Sequence, residues 1–163
     1  MRRFSPILIA GCILALSASA ACAPSPEKLI EDAEIAKRDG DYVKAASLLH
    51  RAAKQGDVHA QLDLGLMLSG KTGAEIGNMK AARWFTRAAE QGNEQAQYNI
   101  GLMYKTGQGV EQNFVRAYMW LSLSAAQGNL NAAKERDAIA VNLSPEHLAE
   151  AQKLVREWRP KKQ

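Results

Sequence analysis

Ala88-Ala89-Glu90-Gln91-Gly92 is written three times in this chain. It stands one step earlier as Ala52-Ala53-Lys54-Gln55-Gly56 and one step later as Ser124-Ala125-Ala126-Gln127-Gly128. Gly56, Gly92 and Gly128 are 36 residues apart, twice over. Self-similarity at a fixed period of about 20–50 residues marks a stacked array of small units, each needing a neighbour to bury its apolar face. The phrase carries its own physics. Alanines let paired helices close, and the glycine can take the left-handed conformation that ends a helix. Asp57, Asn93 or Asn129 follows at once and offers a side-chain oxygen to cap the next helix.

Working outward, residues 57–92 and 93–128 superimpose at that offset. They share Ala60/Ala96, Gln61/Gln97, Gly65/Gly101, Leu66/Leu102, Met67/Met103, Gly73/Gly109, Glu75/Glu111, Ala81/Ala117 and Trp84/Trp120. Glycine inside a helical pattern costs about 1 kcal/mol relative to alanine. Accepted at Gly65 and again at Gly101, that cost predicts close approach of a neighbouring helix. Trp84 and Trp120 are expected to fill the space between paired helices. Turns inside the units are expected over 69–78 and 106–113. Residues 27–56 read as a shorter helical hairpin, with apolar Leu29, Ile30, Ala33 and Ala36 at helical spacing and Asp39-Gly40-Asp41 as its turn. Over 129–163 the period fades. Asp137 stands where the glycine was, and Ser144-Pro145-Glu146 starts a fresh helix. These residues read as capping helices, with a basic frayed tail from Arg159 onward.

These positions resemble the Sel1-like repeat, a relative of the tetratricopeptide repeat. The family pattern is nearly whole in Ala96, Ile100-Gly101, Tyr104, Gly107-Gln108-Gly109-Val110, Ala117, Trp120 and Ala125-Ala126-Gln127-Gly128. The second unit departs at Leu68, in place of the tyrosine, and at Lys71-Thr72-Gly73-Ala74, in place of Gly-x-Gly-Val. The resemblance implies an all-α, right-handed α-solenoid of antiparallel helix pairs, about eight helices in all. Gly65, Trp84, Gly92, Gly101, Trp120 and Gly128 are its repeat-defining residues. It further implies a module that binds another protein and performs no chemical step.

The N-terminus supplies an address. Met1-Arg2-Arg3 is basic, Pro6 to Ser17 mostly apolar and Leu16 to Ala23 rich in small residues. Residues 1–21 read as a signal peptide, the apolar run being too short to span a bilayer. Two cleavage readings stay open. Ala18-Ser19-Ala20 would release a soluble periplasmic protein, whereas Ser19-Ala20-Ala21-Cys22 resembles a lipobox that would lipidate Cys22. Residues 22–26 read as a short tether, because proline disfavours helix at the residue before it. Both cysteines precede residue 23, so the repeats hold no disulfide and no cysteine metal site.

Composition narrows the function. Without Arg2 and Arg3 the 21 basic residues become 19, against 17 acidic, which argues against a nucleic-acid partner. His50, His59 and His147 lack ligand spacing, and no catalytic or metal motif is present, so no cofactor and no metal are expected. Gly107-Gln108-Gly109 reads as a turn, lacking the strand and the Gly-Lys ending of a phosphate loop. Helical geometry offers one candidate binding face: His59, Leu62, Leu66 and Ser69 on one first helix, and Gln95, Tyr98, Leu102 and Lys105 on the next. In tetratricopeptide relatives the corresponding face lines a concave, peptide-holding groove; the same stripe could equally pack unit against unit. The function expected is a protein-interaction scaffold of the bacterial envelope, touching membrane only through a lipid on Cys22. An envelope hydrolase or carbohydrate-active enzyme, and a structural tethering lipoprotein, are the alternatives. Partner identity and oligomeric state are not legible.

Overall fold

A computed structural model of the chain describes residues 23–71 and 75–161. The signal segment, Cys22 and Gly73 lie outside the described residues. Within them the chain forms eight helices and no strand. These are α1 (Pro26–Arg38), α2 (Tyr42–Lys54), α3 (Val58–Lys71), α4 (Glu75–Glu90), α5 (Glu94–Thr106), α6 (Phe114–Ala126), α7 (Leu130–Ala140) and α8 (Pro145–Glu157). From α1 to α7 each helix packs on its successor. The result is the all-α solenoid the repeats predict.

Three apolar cores run along the stack, and alanine dominates them. One joins α1 and α2 to α3 and Trp84. The next joins α4, α5 and Trp120. The last holds Ala117, Leu121, Ala132 and Ile139. Close approach at the in-helix glycines has a specific cause. A Cβ on Gly65 would lie 2.6 Å from Phe85 Cε1, and one on Gly101 would lie 2.8 Å from Leu121 Cγ. Phe85 and Leu121 occupy the same repeat position, so each unit drives one large side chain into the gap left by its glycine. The tryptophans share a core with their paired helices, Trp84 with Ala60 and Leu64 of α3 and Trp120 with Ile100 and Met103 of α5. Trp84 also reaches the preceding unit, with the His50 ring of α2 edge-on at 5.4 Å. The place directly over Gly65 belongs to its neighbour Phe85.

Helix ends follow the caps read from the sequence. Asp57, Asn93 and Asn129 accept from the backbone N–H of Ala60, Ala96 and Ala132 at 2.7, 2.8 and 2.9 Å. Gly92 takes φ +95°, the left-handed conformation the turn requires. Three segments differ from expectation. The turn expected over 69–78 is mostly helical, since α3 runs to Lys71 and α4 starts at Glu75. The stretch read as a tether becomes helical at Pro26, because Ser25 caps α1 and proline tolerates the first helical position. As far as Lys161, the last described residue, the C-terminal tail is held rather than frayed. Lys161 donates its backbone N–H to Glu90 O at 2.7 Å and pairs its Nζ with Glu90 Oε1 at 2.7 Å.

Candidate partner-binding surface

The first helices of the units, α1, α3, α5 and α7, form one side of the stack, and ion pairs tie neighbours along it. Lys37 of α1 meets Asp63 of α3 at 2.9 Å, and Lys105 of α5 meets Glu135 of α7 at 2.5 Å. Burial alone would lower the Lys37 pKa. Hydrogen bonds to Glu34 and Asp63 outweigh it, and the ammonium is held above its ordinary 10.5. Asn99 stands at the repeat position of Asp63 and Glu135, and its Nδ2 is buried without a partner.

Packing divides the eight candidate residues. Leu62 packs against the α4–α5 core, and Tyr98 and Leu102 against the core that includes α7 residues. These three seal one unit to the next. His59, Leu66 and Gln95 remain exposed. Ser69 Oγ donates to Leu66 O at 3.1 Å, and Lys105 is engaged by Glu135. Of the repeat-defining residues, Gly65 and Gly101 lie under large side chains, Gly92 and Gly128 in turns, and Trp84 and Trp120 between units.

A second feature went unnoticed in the sequence. Gln61 and Gln97 are almost wholly buried, and each anchors a hydrogen-bond relay between units. Gln61 Nε2 donates to Ala53 O at 3.1 Å. Gln91 Nε2 donates to Gln61 Oε1 at 2.8 Å and to Gly56 O at 3.1 Å. One unit on, Gln97 donates to Ala89 O at 3.2 Å, and Gln127 to Gln97 Oε1 at 2.8 Å and Gly92 O at 3.1 Å. Gln55, at the first repeat, reaches Pro24 O instead, at 3.3 Å. The signal was present: Gln55, Gln91 and Gln127 recur inside the repeated phrase, and Gln61 and Gln97 recur in register beyond its glycine.

On the opposite side, formed by α2, α4 and α6, α8 lies on α6, with Trp158 edge-on to Trp120 at 6.5 Å between ring centroids. The apolar stripe of α8 thus covers a second helix of the third unit. Among the described residues, no three His, Cys, Asp or Glu side chains gather as a metal site, and no helix is long and apolar enough to cross a membrane. Gly107 and Gly109, at φ +75° and +70°, form a turn. It is packed so tightly that a Cβ on Gly109 would lie 2.3 Å from the Asn78 carbonyl carbon.

The Sel1 repeat model matches residues 35–57, 58–93 and 94–129, more than half of the chain. Among solved structures, the chain is similar to c5321, described as a protective antigen present in uropathogenic Escherichia coli strains displaying an SLR fold. That match has a TM-score of 0.71 at 29% identity and covers 82% of this chain and 30% of that one. It is also similar to a Sel1 repeat protein from Oxalobacter formigenes, with a TM-score of 0.62 at 32% identity over 69% of this chain and 88% of that one. No curated protein matches.

Proposed function

The chain belongs to the Sel1 repeat family, and from that premise we propose that it is an exported, non-catalytic scaffold that binds another protein of the bacterial envelope through its first-helix side. Sel1 repeats in general mediate protein–protein interaction, and Sel1 solenoids are in general non-catalytic. One observation carries the surface. His59, Leu66 and Gln95 stay exposed on consecutive first helices, Leu66 at 43%, while their neighbours Leu62, Tyr98 and Leu102 are consumed in packing. Buried glutamine relays and interhelical ion pairs hold that side in shape. A partner therefore meets a preformed surface and little ordering cost opposes binding. Export rests on the basic, apolar and small-residue order of residues 1–21, and membrane attachment on Cys22 as a lipidation site.

The test is affinity capture of a defined partner from an envelope extract by the mature chain, repeated with His59→Glu/Leu66→Asp. Both side chains are exposed, so the variant keeps its helical circular dichroism. Loss of capture is expected; undiminished capture overturns the proposed surface. Intact mass decides the address, since a diacylglyceryl group on Cys22 marks an anchored protein and an N-terminus at Ala21 a released one.

A further inference from the structure

Arg83 and Arg87 of α4 have Met119 and Leu123 as their counterparts one unit later, on α6. That exchange separates two repeat-equivalent places into a covered one and an open one. Met119, Leu123 and Trp158 pack against one core, and α8 lies on α6. Lys161 then reaches Glu90 at the end of α4. The chain itself therefore covers the place between α4 and α6.

One unit earlier, between α2 and α4, the corresponding place is an open groove of about 560 Å³. Its floor is closed. Trp84 is buried, with the His50 ring edge-on at 5.4 Å and Arg87 Cζ 4.7 Å from its ring centroid, so no further ring can be added there. Its rim is cationic. Lys80, Arg83 and Arg87 of α4 and Lys54 of α2 line it, and all four are exposed. Among the described residues no acidic side chain lines the groove, and no ion pair joins any of the four to a carboxylate. Lys80, Arg83 and Arg87 follow one another at spacings of three and four, which makes a stripe about 10 Å long at the α-helical rise. Like charges so spaced destabilise a helix, and carboxylates brought from outside relieve the repulsion.

We infer that this groove binds an acidic helix of a partner protein, with carboxylates at spacings of three and four laid against Lys80, Arg83 and Arg87. A helix matches the axial spacing of the stripe, and α8 on α6 shows that a second helix of this solenoid accepts another helix against it. A single exposed ion pair contributes little, so a small anion is held weakly, whereas several carboxylates on one face act together. Within this chain α1 carries a comparable face in Glu27, Glu31 and Glu34, but Lys28 and Lys37 already engage Glu31 and Glu34. A second copy is therefore the poorer match. The groove lies on the second-helix side, and its failure as a site would leave the first-helix surface untouched.

The experiment uses the mature chain and two dye-labelled, alanine-rich helical peptides of equal length and composition, measured by fluorescence anisotropy. One carries its glutamates at spacings of three and four on a single face; the other carries them distributed around the helix. The first should bind at least about tenfold more tightly, with affinity falling as salt rises. Lys80→Glu/Arg83→Glu should weaken the first peptide at least about tenfold. Lys44→Glu/Arg51→Glu alters the repeat-equivalent exposed cations of α2, which do not line the groove, and should leave binding unchanged. Both variants change the net charge equally, and circular dichroism checks that each keeps its helices. Equal affinity for the two peptides, equal loss in the two variants, or no binding of the first peptide at millimolar concentration overturns the inference. So does self-association of the chain, or binding to phosphatidylglycerol vesicles, that Lys80→Glu/Arg83→Glu abolishes while the peptide stays unbound.

Discussion

Gln91 donates through Nε2 to the Oε1 of Gln61, 2.8 Å away and 30 residues back in sequence, and the same bond joins Gln127 to Gln97. Each relay ends on a backbone carbonyl near the close of an earlier helix, so the unit boundaries are locked by buried polar contacts as well as by alanine packing. Removing one partner leaves the other desolvated and unpaired. Gln97→Ala should therefore destabilise the fold by about 2–4 kcal/mol, lost hydrogen bonds and a cavity both contributing. Gln127→Ala, at the exposed end of the relay, should cost less. Urea denaturation of both variants checks the order.

Gly65→Ala and Gly101→Ala reverse the usual sign of a helix substitution. Propensity alone would favour alanine by about 1 kcal/mol. The added Cβ would instead sit 2.6 Å from Phe85 or 2.8 Å from Leu121. Overpacking should win, with net destabilisation of about 1–3 kcal/mol. Gly65→Ala combined with Phe85→Leu should lose less than the sum of the single changes in thermal melts, because the smaller side chain relieves the clash.

Trp158→Ala should uncover Trp120 and release the tail from Glu90. The lost apolar and edge-to-face contact corresponds to about 2 kcal/mol. Hydrogen exchange should speed up at the amide of Lys161, whose bond to Glu90 O depends on the tail staying docked, while α1 and α2 keep their protection. Uniform acceleration throughout would show that α8 holds the whole stack rather than one end.

Lys37 gives a pH-dependent signature. Its folded pKa is raised above 10.5, so its contribution is fully present below that value and is lost as pH rises through the folded pKa. The difference in urea midpoint between the natural chain and Lys37→Met should stay flat from about pH 6 to 9 and shrink above about pH 10.5. The side chain is partly solvated, so the difference is small, below about 1 kcal/mol. A difference that shrinks already near neutral pH would contradict the assignment.

By itself the sequence determined the architecture, because the signals involved are local and repeat. Glycine after a helix, an Asp or Asn cap behind it and small residues at helical spacing act within a few residues, and a period of 36 multiplies them. Gly65 and Gly101 even announced a close contact, without naming the side chain that makes it. What only tertiary structure decided is which side chains remain available. Leu62, Leu66, Tyr98 and Leu102 look alike as a stripe, but packing of one unit on the next buries part of it and leaves Leu66 in solvent. Trp84 and Trp120 are identical by register. Both are buried, but Trp84 lies against the His50 ring of the neighbouring α2, whereas Trp120 is covered because α8 folds back on α6 and brings Trp158 across, with Lys161 reaching Glu90 71 residues away. Helical periodicity carries no information about such contacts, since they depend on where the last helix lands. The phrase Ala-Ala-Glu-Gln-Gly sets the register of the array, and its Gln91 and Glu90 acquire their separate roles only once the units are stacked.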